Sequence, residues 1–305
     1  MKLVTFLAGE DPRLGALLDE YHLVDLAKAY AAYKKATGSG DLAEFPADMK
    51  AFLEAGEPAW EAARQALSWA GSSQDSLESG VIWPLSNVKL SAPVTNPSKI
   101  IAVGLNYMDH CREQKVEVPK SPILFAKFPS SVIGPGDPVC WSPELTGQVD
   151  YEGELAVVIG RQAREVPAEK AYEYVAGYTI VNDISARDLQ FGDGQWVRGK
   201  SLDTFCPMGP YLVTKDEIED PQNLEIRTWV NDRLLQDSNT REMIFKIPEL
   251  IEFMTRAFTL YPGDIISTGT PDGVGVSRNP QVLMKKGDRV KVAVQGLGEL
   301  SNIAG

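Results

Sequence analysis

The stretch Val149-Asp150-Tyr151-Glu152-Gly153-Glu154-Leu155-Ala156-Val157-Val158-Ile159 carries two carboxylates into an unbroken apolar run. The run from Glu154 to Ile159 has the length and β-branched content of a buried strand. A strand has a period of two, so Glu152 and Glu154 project from one face. Like charges side by side repel unless something positive lies between them. A divalent cation meets that need. A solvated strand entrance meets it as well, by leaving both carboxylates in water.

Similar short apolar runs recur on either side, at residues 99–103, 122–127 and 178–183. Residues 224–230 alternate, turn at Asn231-Asp232 and return through Arg233-Leu234-Leu235, a hairpin signal. Gly263-Asp264 turns into the strand 265–267, and 289–294 reads as the closing strand, with Gly296 and Gly298 in the turn beyond it. Residues 168–175 are helix-like. A helix over 247–258 follows from Ile247, Leu250, Ile251, Met254 and Phe258 on one face. The first residues, 1–8, read as a strand. Residues 25–36 and 47–70 are Ala-rich with helical spacing, the second broken at Gly56-Glu57-Pro58, and 71–76 is a polar linker. Ala92-Pro93 and Asn96-Pro97 punctuate the entry to the β-rich part. The reading is a β-rich α+β fold with an irregular strand–helix order. It has a small N-terminal domain over 1–95 with a helical insertion at 25–70, and a larger domain over 96–305.

The chain has 305 residues, with 30 Lys+Arg against 42 Asp+Glu, a net charge of −12. That leaves no basic footprint for a nucleic acid or an anionic membrane surface. No run approaches the roughly 18–20 apolar residues of a membrane span. The N-terminal run is too short for a secretory signal. Cys111, Cys140 and Cys206 are odd in number and widely spaced, so reduced thiols in a cytoplasmic protein are expected.

Asp183 stands where the apolar run Thr179-Ile180-Val181 stops. A carboxylate buried in such a place is paired or liganded. With Glu152 and Glu154 it offers oxygen donors and no nearby His or Cys, which suits Mg²⁺, Mn²⁺ or Ca²⁺ and disfavours zinc. The chain has two histidines. His22 reads as structural or surface. His110 precedes Glu113 by three residues, so a short helix would set them on one face, as a surface ion pair or as a base with its orienting carboxylate. Residues 109–120 carry few apolar side chains, which predicts a mobile or non-helical segment that orders over a ligand. Residues 269–275, Gly-Thr-Pro-Asp-Gly-Val-Gly, lack the Lys-Ser/Thr of a phosphate loop. They form either a ligand-hugging loop or an ordinary turn.

Taken together, several segments give the chain a family likeness. They are Gly104-Leu-Asn-Tyr-x-x-His110, Glu152-x-Glu154, Asn182-Asp183-x-Ser-Ala-Arg187-Asp-x-Gln190, Gly199-Lys200-Ser201, Gly209-Pro210 and Thr268-Gly-Thr270-Pro-x-Gly-Val-Gly275. In order and spacing they resemble the fumarylacetoacetate hydrolase family from about residue 99 to 303. The resemblance implies a mixed β-sandwich roll, usually dimeric, with Mg²⁺ or Mn²⁺ held by Glu152, Glu154 and Asp183. Residues 1–95 look like the small α/β domain appended in many bacterial members. The resemblance further implies that His110 and Glu113 activate a water and that Lys200 stabilises the oxyanion. Arg187, Gln190 and Thr270 would hold a small 2-oxo acid. The expected reaction is C–C hydrolysis of an acylpyruvate or related diketo acid. Isomerisation of an unsaturated 2-oxo acid and decarboxylation of oxaloacetate are the alternatives on the same site.

Overall fold

The computed structural model describes residues 1–38, 44–72 and 80–305. Residues 73–76 of the expected linker lie outside the described residues, while 71 and 72 end a helix.

The strand Gly153–Ile159 runs through the middle of a twelve-stranded sheet, antiparallel to Val175–Asn182 on one side and Ile265–Ser267 on the other. Both its faces are covered, which is why its sequence is continuously apolar instead of alternating. Leu155, Val157 and Ile159 pack with Leu250, Ile251 and Met254 of the helix Ile247–Ala257 and with Ile226, Val292 and Leu300 of a second, five-stranded sheet. Ala156 and Val158 face the other way, into a core shared with Leu3, Phe52, Ala63 and Ala66. The fold is α+β and rich in strand, as the sequence indicates.

The Ala-rich stretches are the helices Leu26–Thr37, Met49–Ala55 and Glu57–Ser72. Asp25 and Asp48 cap the first two by accepting from the backbone N–H of Lys28 and Ala51. The first strand, Lys2–Ala8, joins the large sheet by pairing Leu3 with Leu212 of the strand Cys206–Thr214. The strands Asp11–Leu17, His22–Asp25, Ile82–Pro84 and Lys89–Ser91 extend that side. Residue 95, where a division is expected, lies between the strands Lys89–Ser91 and Ile100–Gly104, which belong to the same large sheet. One expectation is corrected at the C-terminus. Gly298 opens a further strand, Gly298–Ala304, and Arg289–Val294 is not the last. Leu300, Asn302 and Ala304 alternate inward there, but a polar Asn among them hides the pattern. Among the described residues, no helix is long and apolar enough to cross a membrane.

Gly153 separates the two glutamates and points at the five-stranded sheet. A Cβ at this position would lie 2.3 Å from Thr228 Oγ1 and 2.8 Å from Val292 Cγ1. The Glu-Gly-Glu sequence thus records a close approach of the two sheets at the point where the carboxylates emerge. Gly153→Ala is expected to cost about 1–3 kcal/mol by overpacking. Differential scanning calorimetry would show it as a lowered midpoint, and an unchanged midpoint would mean the sheets have slack here.

Candidate active site

The strand register assembles the carboxylates. Gly153 pairs with Asn182, so Asp183, one residue past the strand end, falls beside Glu152. The Asp183 N–H donates to the Glu152 carbonyl at 2.8 Å, and the Asn182 side chain accepts from the Glu152 N–H at 3.0 Å. Ligand oxygens of Glu152, Glu154 and Asp183 all lie within 4.8 Å of one another, and the three residues are buried.

Cations from three other elements close in. Lys200, ending the short helix Val197–Lys200, places Nζ 2.6 Å from Glu152 and 2.7 Å from Asp183. Lys127, at the end of the strand Ile123–Lys127, lies 2.6 Å from the other Asp183 oxygen and donates to the carbonyl of Lys200. Arg187 opens the helix Arg187–Gly192 and bridges Glu152 at 2.6 Å and Asp150 at 2.8 Å, while donating to Gln190 at 3.0 Å. Asp150 is also held by the N–H groups of Gly275 and Val276.

Burial would raise the Glu152 carboxyl, but Lys200 and Arg187 overcome it and hold the group well below the usual carboxylate range. Glu154 has no cation of its own. It accepts from Ser267 Oγ at 2.6 Å and the Gly269 N–H at 2.9 Å. Burial, then Asp183 and Glu152, push its carboxyl up to about 8. An all-oxygen donor set with one carboxylate lacking a cation fits a hard divalent ion.

His110 lies on the helix Met108–Gln114 and is buried. Its Nδ1 is 3.5 Å from Glu113, whose two oxygens both accept from the Gly273 N–H at 3.1 Å. Gly273 has φ +97°, and a Cβ there would meet the Leu235 carbonyl at 2.1 Å, so no other residue fits this contact. The segment expected to be mobile or non-helical until a ligand orders it is helical over 108–114. Polar ties replace the missing apolar anchors: Asp109 accepts from Ser238 at 2.5 Å, and Arg112 pairs with Glu242 at 3.0 Å. Cys111 is buried, whereas Val116 and Val118 beyond the helix are exposed. His22 stays outside the site, half-exposed and paired with Asp19.

His110, Glu152, Glu154, Arg187, Gln190, Lys200 and Thr270 line one cavity, with Phe125, Phe191 and Trp196 among its apolar walls. Glu113 and Asp183 stand behind them. The 269–275 loop is therefore a site loop whose backbone meets the carboxylates directly. Sequence reasoning missed Lys127, Asp150, Gln114 and Ser267. Lys127 carries the same signal that exposed Asp183, a charge closing an apolar run. All three cysteines are free thiols.

Residues 99–303 match the family model described as fumarylacetoacetate (FAA) hydrolase C-terminal. The chain is 47% identical over 307 residues to "Oxaloacetate tautomerase fahd2, mitochondrial" of Xenopus laevis, covering 99% of this chain and 89% of that protein. It is 45% identical over 296 residues to "Oxaloacetate tautomerase YisK" of Bacillus subtilis, covering 96% of each. It superposes on the fumarylacetoacetate hydrolase of Exiguobacterium antarcticum with a TM-score of 0.77 at 35% identity, covering 100% of this chain and 99% of that one.

Glu154 is raised, so the folded metal-free protein holds this proton more tightly than the unfolded chain. Its stability falls as pH climbs from the ordinary 4.5 towards about 8. A cation held by the trio must displace that proton. Mn²⁺ binding at a pH well below 8 is expected to release about one proton, and to tighten as pH rises. Glu154→Gln should keep the fold and lose tight binding. Calorimetry in buffers of different ionisation enthalpy measures both, and parent-like binding by the variant would remove Glu154 from the ligand set.

Proposed function

The chain belongs to the fumarylacetoacetate hydrolase family, and from that premise we propose that it moves a proton within a small 2-oxo diacid, interconverting the keto and enol forms of oxaloacetate. The observation that carries this reading is the 45–47% identity, over nearly the whole chain, to two proteins named for that reaction. Identity to the hydrolase neighbour is lower, at 35%. C–C hydrolysis, expected from the sequence, needs an activated water beside the same groups. Tautomerisation needs only the His110–Glu113 pair and a place for the acid.

In this reading Glu152, Glu154 and Asp183 hold Mg²⁺ or Mn²⁺. A divalent cation there supplies Lewis-acid polarisation of a 2-oxo group. His110 takes the proton from the carbon next to the oxo group as that C–H bond breaks, the C=C bond forms and the C=O electron pair moves onto oxygen, and the protonated His110 then returns the proton to that oxygen. The reverse path uses the same groups. Lys200 offsets the negative charge that develops on oxygen. Arg187 and Gln190 receive a substrate carboxylate. Both side chains line the cavity, which supports this role. Thr270, which donates to the Gly153 carbonyl at 3.0 Å, sets the floor of the cavity. We also propose residues 1–95 as an appended unit, supported by the family match starting at residue 99. A homodimer completes the proposal. Exposed Phe128 and Leu145, around one apolar hollow, supply a surface for it.

The test follows the decay of enol-oxaloacetate absorbance with Mg²⁺ and with Mn²⁺, identifying products by mass. The expected product is keto-oxaloacetate of unchanged mass. His110→Ala should lower kcat by about 10²–10⁴ with Mn²⁺ binding unchanged. Decay no faster than in buffer, alongside an acylpyruvate product heavier by one water, would return the hydrolase reading.

A further inference from the structure

We propose that Gln114 is a positioning residue that fixes the tautomer of His110 and covers its proton-accepting nitrogen until substrate arrives. The inference rests on His110 being the proton-transfer group. His110, Glu113 and Gln114 are spaced i, i+3 and i+4 on the helix Met108–Gln114, so all three share a face. Gln114 Nε2 lies 2.9 Å from His110 Nε2. An amide N–H donates and cannot accept, so the ring nitrogen beside it is the acceptor and carries no proton. The proton of the neutral ring then sits on Nδ1, which is buried, faces Glu113 at 3.5 Å and has no other partner among the described residues.

The orientation of the amide follows from Glu113. Turning the Gln114 oxygen towards the ring would select the Nε2–H form and leave a bare Nδ1 lone pair facing a carboxylate, acceptor against acceptor. Glu113 cannot turn away to relieve this, because the Gly273 N–H holds both its oxygens. The two partners therefore select the same tautomer from opposite sides of the ring: Glu113 by accepting at Nδ1 and Gln114 by donating at Nε2. His110 and Gln114 both line the cavity, so the lone pair kept free of a proton belongs to the nitrogen that a bound acid meets on displacing the amide.

The chain has two histidines, which makes the tautomer directly readable. ¹⁵N-histidine-labelled, Mg²⁺-loaded protein is examined by long-range ¹⁵N–¹H correlation, with His22→Gln assigning the signals. The parent is expected to show His110 protonated at Nδ1. Gln114→Glu, closest in shape but only an acceptor, should add a proton at Nε2 while Glu113 keeps the one at Nδ1, so the ring becomes an imidazolium. It should also lower kcat on enol-oxaloacetate on the order of 10²-fold, the scale of a lost general base. Gln114→Met, which has no donor or strong acceptor, should mix the tautomers and lose roughly tenfold, within the range that misorientation costs. A purely structural role predicts the reverse order, with Glu the milder change. A parent ring protonated at Nε2, or an Nε2 still without a proton in Gln114→Glu, overturns the proposal. The spectrum needs no substrate, so an enzyme inactive on oxaloacetate would sink the functional reading while the role of Gln114 is still decided.

Discussion

Glu152, Glu154 and Asp183 are taken out of water within a few ångströms of one another, Asp150 is buried beside them through Arg187, and Lys127 and Lys200 are buried against the trio. Ions in a low-dielectric interior are costly to desolvate, and one left unpaired costs most. Each cation comes from a different element, so none of the strands or helices around the site can shift without unpairing a charge. Cations and carboxylates do not match one for one. The mismatch falls on Glu154, which is met by a hydroxyl and a backbone N–H and keeps its proton up to about pH 8. A cluster left one cation short in this way could take one from outside the chain.

The loop at 269–275 ties this cluster to the dyad. The N–H of Gly269 meets Glu154, that of Gly273 meets Glu113, and that of Gly275 meets Asp150. One stretch of backbone thus sets the position of His110's partner relative to the carboxylate trio. Side chains could supply similar hydrogen bonds but would bring rotamer freedom with them, whereas backbone donors on a tight loop arrive already ordered.

Much of this was legible in the sequence, for reasons that differ by residue. Glu152 and Glu154 stand out because strand period puts them on one face, and Asp183 because it ends an apolar run. Their meeting depends on register, the pairing of Gly153 with Asn182, which no local pattern encodes. The helix Ile247–Ala257 was read from its spacing. The strands Asp11–Leu17 and Gly298–Ala304 were not, since Pro12, Gly15 and Asn302 interrupt the alternation that tertiary pairing overrides. The helix Met108–Gln114 looks loosely anchored in the sequence because its ties are polar and reach Ser238, Glu242 and Gly273, far along the chain. Gln114 was passed over because an amide carries no charge to draw attention, and its meaning comes only from the ring nitrogen it faces.

The pairing of Lys2–Ala8 with Cys206–Thr214 has a consequence for how the chain can be divided. The strand Cys206–Thr214 lies against Val175–Asn182 on its inner side, and the N-terminal strand occupies its outer side at Leu212 and Val213. The core holding Ala156, Val158, Met208 and Leu212 also takes in Phe52, Ala63 and Ala66 from the Ala-rich helices. Cutting the chain back to the stretch that matches the family model would leave a sheet border with unused hydrogen-bonding groups and an uncovered apolar face beside it. Such borders recruit strands from other molecules. The first ninety or so residues thus cover both that border and that face.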